Sequence, residues 1–122
     1  MPVRSLSSSV LKWPDAGVVK AAVRAWSADL LRNRPEVVRV GFFGSYARGE
    51  WGVGSDVDLL VIVSEATGDF ARRGIRYDAT ALPVPADVLV YTTEEWTRVS
   101  REGMARAARE VVWAPAVEHG FA

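Results

Sequence analysis

Three aspartates and a Gly-Ser pair are the residues of this chain whose types and spacing suit phosphate chemistry. Gly44 and Ser45 follow an apolar run, and after ten intervening residues Asp56 and Asp58 stand at the mouth of a second apolar run. Asp87 begins a third. Carboxylates packed together raise one another's pKa unless a cation neutralises them. Hard oxygen ligands with no His or Cys nearby favour Mg²⁺ or Mn²⁺.

The Gly-Ser pair offers groups that bind phosphate. A glycine lets the backbone approach a ligand closely, and backbone N–H groups with a serine hydroxyl can hold the β- and γ-phosphates of a nucleotide. Arg48 and Ser55 are further candidate phosphate contacts. The alternative for Arg48 is a surface ion pair with Glu50, and the alternative for Ser45 is a simple helix N-cap.

Together these residues predict metal-assisted transfer of a nucleotide. Two divalent ions about 3.5–4 Å apart can clamp the attacking and leaving oxygens of an in-line phosphoryl displacement. The competing interpretation of Asp56 and Asp58 is a solvated strand start, and that of Asp87 is a turn residue after Pro85. Asp78 is the rival candidate for the third acid.

Apolar runs bounded by turn residues predict the strands that carry the acids. We expect strands over 37–43, 57–63 and 87–91, the second being apolar on both faces and so central in the sheet. Alternate residues of a strand share a face, so Asp56 and Asp58 should project side by side. The connection between the last two strands is long enough for a parallel crossover, which would bring the third acid to the same edge.

Helix signals lie before the first strand and after the third. Asp15 can cap a helix over about 17–32. Thr92 and Glu95 form a capping box, and the helix that follows is expected to run to about Glu110. A short last strand is expected over 111–113.

The motif resembles a known signature. The segment Gly44–Gly49, followed by Ser55, Asp56 and Asp58, resembles that of the DNA polymerase β-like nucleotidyltransferase superfamily, and specifically its minimal nucleotidyltransferases (MNT). Many of those are antitoxins paired with HEPN-domain RNase toxins. The resemblance implies an α/β (α+β) fold with a small mixed β-sheet palm and flanking helices.

The resemblance also implies roles for individual residues. Asp56 and Asp58 would bind metal, Asp87 would complete the triad and help to activate the acceptor, and Ser45 would contact the triphosphate. The expected reaction is Mg²⁺-dependent transfer of NMP, here AMP from ATP, to an acceptor hydroxyl with release of pyrophosphate. The expected acceptor is a tyrosine of a HEPN toxin partner. The alternatives are a non-catalytic antitoxin that neutralises a HEPN RNase by binding, and a nucleotidyltransferase acting on a small molecule such as an aminoglycoside.

Composition narrows the remaining classes. With 15 basic and 15 acidic residues among 122, the chain has no polybasic field to recruit nucleic acid or membrane. The absence of cysteine excludes a disulfide framework and Cys-type zinc sites. No apolar run approaches the roughly 20 residues of a membrane span, and no long apolar segment marks a signal peptide. We therefore expect a cytoplasmic protein with one domain over residues 1–122.

Overall fold

The computed structural model describes residues 14–50 and 56–115. Within these residues, four strands and five short or medium helices follow one another, with a 3-10 turn at Gly74–Arg76. The elements are α1 (Ala16–Asn33), β1 (Val37–Phe43), α2 (Ser45–Arg48), β2 (Val57–Val63), α3 (Phe70–Arg73), β3 (Ala86–Thr92), α4 (Thr93–Val99), α5 (Ala105–Glu110) and β4 (Val112–Trp113).

The strands form one mixed sheet in the order β3-β2-β1-β4. β1 runs antiparallel to β2 and to β4, whereas β2 and β3 are parallel. This confirms the predicted fold class and the predicted parallel crossover. β2 is buried along almost its whole length, as expected for a strand with neighbours on both sides.

One face of the sheet packs against α1. That helix begins where the Asp15 carboxylate accepts a hydrogen bond of 2.9 Å from Val18 N–H, as the capping signal predicts. Trp26 Nε1 also donates to the Asp78 carbonyl at 2.8 Å, which ties the crossover to the helix. The buried side chains on this face include Val19, Val23, Leu30, Val40, Tyr46, Val57, Leu59, Val61 and Val63.

The opposite face carries the acids at one end and apolar residues beyond them. Asp58 shares this face with Leu60 and Ile62, because side chains alternate along a strand, and both apolar residues are at most 1% exposed. Tyr91 stands beside Ile62 in the parallel register. Its ring lies 5.8 Å from that of Trp96 in α4. The same face is therefore acidic at the mouth of the strands and aromatic farther along.

The prediction of a single helix after Thr92 is wrong. Its start is confirmed, since Thr92 and Glu95 form a reciprocal capping box. The helix ends at Val99, however, and turns separate it from α5. The Val99 carbonyl accepts from Met104 N–H at 2.8 Å within this break. Gly103 lies in the turn. In the interior of a continuous helix, a glycine would cost about 1 kcal/mol relative to an alanine.

The last strand is also shorter than expected. Val111 is extended and ends α5, and only Val112 and Trp113 pair with β1. Within the described parts of the chain, no helix combines the length and the apolar character that crossing a bilayer would require.

Candidate active site

The turn after β1 lies directly against Asp58. Phe43 is the antiparallel partner of Asp58, so the residue that follows, Gly44, meets the aspartate side chain. Gly44 has φ +79° and ψ −150°, a conformation that residues with a side chain rarely adopt. A Cβ at this position would also collide with Asp58 Oδ2. Glycine is therefore required both by the backbone conformation and by the neighbouring acid.

Asp87 stands beside Asp58 on the adjacent strand. The two are register partners in the parallel pair of β2 and β3, where neighbouring strands lie about 4.8 Å apart. Register partners project from the same face, so both carboxylates belong to one edge of the sheet. Val57 N–H donates to the Pro85 carbonyl at 3.0 Å, which holds the mouths of the two strands together.

Asp56 lies one residue before β2 and is exposed. Alternation along the chain assigns it the same side as Asp58. Within residues 14–50 and 56–115, no three acidic or histidine side chains gather closely enough to hold a metal ion. The structure thus brings the three predicted acids to one edge without clustering their carboxylates around a single point.

The charge of Asp58 is poorly compensated. Burial raises the pKa of its carboxyl, and the neighbouring charges of Asp87 and Asp56 raise it further. Arg48 opposes this shift but does not cancel it. A partly buried carboxylate whose ionised form is disfavoured by burial and by like charges is a group that a bound cation would stabilise.

Ser45 begins the short helix α2 and lines an open cleft of about 410 Å³ together with Asp58. Arg48 lines the same cleft. Its Nε donates to Glu50 Oε1 at 2.9 Å, which is the predicted surface ion pair, and its Nη1 donates to Glu110 Oε2 at 2.9 Å. The guanidinium is thus paired on both sides. Ser55, the remaining predicted phosphate contact, lies outside the described residues.

Glu110 is a residue of this site that the sequence interpretation missed. Its Oε2 accepts from Gly44 N–H at 2.9 Å, in addition to the bond from Arg48. The sheet register explains the contact. Phe42 pairs with Val112 in the antiparallel ladder of β1 and β4, so the residue two places before Val112 falls opposite the residue two places after Phe42. A glutamate directly before the apolar stretch Val111–Trp113 was the available signal.

The rival acid Asp78 is engaged in its own turn. Its Oδ1 accepts from Thr80 N–H at 2.9 Å and from Thr80 Oγ1 at 2.7 Å. These hydrogen bonds lower the pKa of Asp78. The carboxylate is therefore satisfied locally, whereas Asp87 is the residue that faces Asp58 across the strands.

A second, larger cleft of about 850 Å³ borders the crossover and the start of β3. Asp87 lines it, together with apolar residues of the crossover that include Leu82 and Val84. Asp58 lines only the first cleft and Asp87 only the second of these two. Because the two aspartates are register neighbours, the clefts approach each other at the acidic edge.

The chain is similar to known proteins both in sequence and in structure. A model of the nucleotidyltransferase domain matches residues 24–108. A crystal structure of a proposed nucleotidyltransferase from Sulfolobus solfataricus is similar at 16% identity, covering 84% of this chain and 89% of that one, with a TM-score of 0.48. A crystal structure of a toxin-antitoxin with AMP-PNP is similar at 18% identity, covering 86% and 76%, with a TM-score of 0.53. No curated protein sequence matches the chain.

The domain match includes every element from the second half of α1 to most of α5. It contains the glycine turn, the three predicted acids and the parallel strand pair that aligns two of them. Since the match extends over more than half of the chain, the protein belongs to the nucleotidyltransferase domain family.

Proposed function

We propose that the protein is a Mg²⁺-dependent adenylyltransferase that transfers AMP from ATP to an acceptor hydroxyl and releases pyrophosphate. The observation that carries this proposal is the contact between Gly44 and Asp58. It joins a turn suited to phosphate with an acid whose register partner is Asp87. An ordinary solvated strand start requires neither the close approach nor the paired acids.

The residues at this edge fit a divalent cation by their chemistry. All candidate ligands are carboxylate oxygens, the type that Mg²⁺ and Mn²⁺ prefer. Asp58, Asp87 and Asp56 would hold two ions, since the first two are register partners on adjacent strands. When bound, the metal neutralises the carboxylates and the charge that develops on the transferring phosphoryl group.

The two clefts suggest where the reactants bind. The nucleotide would enter the cleft that contains Ser45, where the serine hydroxyl and the backbone of the turn contact its phosphates. The acceptor would approach through the cleft beside Asp87. The acceptor oxygen would attack the α-phosphorus and pass its proton to the Asp87 carboxylate. The bond from the α-phosphorus to the bridging oxygen breaks, and pyrophosphate leaves.

We infer that the acceptor is a tyrosine on a HEPN-domain partner, so that the protein acts as an antitoxin. This inference rests on the resemblance of the motif to minimal nucleotidyltransferases. A structure of similar fold is that of a toxin-antitoxin with AMP-PNP, which supports a toxin partner and a nucleotide substrate for this protein. The apolar crossover residues beside Asp87 would suit a polypeptide segment better than a free sugar.

The test is to incubate the protein with ATP, Mg²⁺ and a HEPN-domain toxin, and to measure the mass of both proteins. Addition of one AMP unit to a tyrosine of the HEPN protein is expected. Asp58→Asn should remove the adduct. Asp29→Asn is the matched control, because it removes the same charge and because this exposed acid of α1 lies on the opposite face of the sheet.

Two results would contradict the proposal. The first is an adduct that persists at the original rate in Asp58→Asn. The second is the absence of any adduct while the HEPN protein is still neutralised by both Asp56→Asn and Asp58→Asn. The second result would establish the alternative, neutralisation by binding alone.

A further inference from the structure

One carboxylate oxygen already holds the donors that the proposed phosphate site offers. Glu110 Oε2 accepts from Gly44 N–H and from Arg48 Nη1, each at 2.9 Å. A backbone N–H beside a guanidinium is a common arrangement for binding a phosphate oxygen. The side chain of Glu110 therefore lies where an oxygen of a bound triphosphate would be expected, within the cleft that also contains Ser45 and Asp58.

The contact is well formed rather than incidental. The Glu110 side chain is only 16% exposed, while that of Arg48 is 30% exposed. Burial raises the pKa of Glu110, but the hydrogen bonds from Gly44 N–H and Arg48 outweigh this effect and leave the pKa below its usual value. Glu110 is thus ionised at neutral pH, and its negative charge opposes a polyphosphate that approaches the same donors.

A second partner is available to receive Glu110 if it moves. Its other oxygen, Oε1, lies 3.5 Å from Arg106 Nε on the preceding turn of α5. Arg106 is 73% exposed and lines the same cleft. Rotation of the glutamate toward Arg106 would free Gly44 N–H and Arg48 while keeping the carboxylate paired, so the exchange requires no unpaired buried charge.

We propose that Glu110 is an internal ligand of the nucleotide turn, which must release Gly44 N–H and Arg48 before the triphosphate can bind. This inference rests on the proposed function, since it concerns the affinity of the same site for nucleotide. Glu110 then acts as a gate. The measured dissociation constant exceeds the intrinsic one by the inverse of the fraction of molecules in which the gate is open. An open fraction of about one tenth weakens nucleotide binding about tenfold.

The experiment measures Mg-ATP binding by calorimetry at fixed ionic strength for the original protein and three variants. Glu110→Ala removes the internal ligand, and we expect binding to become about tenfold tighter. Glu110→Gln keeps the shape without the charge and should tighten binding by about threefold, because its carbonyl can still accept from Gly44 N–H. Glu50→Gln is the matched control. It removes an acid at the same 2.9 Å from Arg48 that makes no bond to Gly44, and it should change binding by less than about twofold.

A stability measurement distinguishes a gate from a structural prop, meaning a side chain that stabilises the turn without blocking nucleotide binding. Glu110→Ala leaves a buried N–H without its acceptor and should lower the Tm of the nucleotide-free protein by about 5 °C. Mg-ATP should then raise the Tm of this variant by more than it raises that of the original protein. A prop would give the opposite sign, with weaker binding and a smaller rise. Should Glu110→Ala fail to fold, Glu110→Gln decides the question by the same comparison.

The outcomes distinguish the inference from the function beneath it. If the original protein binds Mg-ATP and both Glu110 variants bind equally or more weakly, the gate is refuted and the proposed function stands. If Glu50→Gln tightens binding as much as Glu110→Ala, loss of charge explains the effect and the gate is likewise refuted. If the folded original protein and every folded variant fail to bind Mg-ATP, the proposed function fails and the gate fails with it.

Discussion

Replacement of Gly44 by alanine tests the contact on which the proposed active site depends. Gly49 offers an internal control, because the two glycines have nearly equal φ values of +79° and +77°. Their surroundings differ. A Cβ at Gly44 would collide with Asp58 Oδ2, whereas a Cβ at Gly49 meets nothing within 4 Å. The pair thus separates the effect of backbone strain from the effect of displacing the acid.

The expected cost follows from these differences. Gly49 is in the left-handed helical region, where an alanine costs about 1 kcal/mol. The ψ of −150° at Gly44 belongs to a region that is nearly confined to glycine, with a cost of about 2 kcal/mol. Moving the Asp58 side chain off its rotamer adds about 1 kcal/mol. We therefore expect losses of about 3 kcal/mol for Gly44→Ala and about 1 kcal/mol for Gly49→Ala.

Thermal denaturation and AMP transfer check both parts of this expectation. At about 4 °C per kcal/mol, the Tm should fall by about 12 °C in Gly44→Ala and about 4 °C in Gly49→Ala. Transfer should fall at least about 100-fold in the first variant, because the acid is displaced by the order of 1 Å. In the second it should stay within about threefold. Equal stability losses, or full transfer activity in folded Gly44→Ala, would refute the claim that Asp58 and the turn form one site.

Two further predictions concern charge. Asp58→Asn should raise the free energy of unfolding in metal-free buffer at pH 7 by about 1 kcal/mol, because burial and Asp87 disfavour the ionised carboxyl. The gain should vanish in acid, where the original carboxyl is protonated. A lower free energy of unfolding at pH 7 would contradict the claim that the Asp58 charge is poorly compensated. Glu95→Gln should lower the free energy of unfolding by about 2 kcal/mol at pH 7, because the hydrogen bonds of 2.6 Å and 3.2 Å from Arg73 lower the pKa of Glu95 to about 2. A carboxyl whose pKa is lowered by folding stabilises the protein above its unfolded pKa, and this stabilisation is lost as the pH falls, so the difference between Glu95→Gln and the original protein should disappear between about pH 4.5 and 2. Urea denaturation at pH 7 and at pH 2 measures this difference, and Glu94→Gln serves as the control. A difference that persists at pH 2 would exclude this origin.

The strands were predictable because their signals are local. The apolar runs and their flanking turn residues gave β1 and β2 their observed bounds of 37–43 and 57–63. The start of α4 was equally clear from Thr92 and Glu95, whose reciprocal bonds involve only neighbouring residues. The break after Val99 was not predicted. The helical spacing of apolar residues continues through the turn, so this spacing does not show where α4 ends.

The sequence by itself determined which groups are available for the proposed chemistry, because the Gly-Ser turn and the acids at two strand mouths are set by residue type and spacing. Only the tertiary structure decided how those groups meet. The register places Asp87 beside Asp58, and pairing of β4 with β1 places Glu110 on Gly44 and Arg48. The contact between Gly44 and Glu110 spans 66 residues of chain. Local propensity does not encode such a contact, because it depends on the packing of the whole sheet.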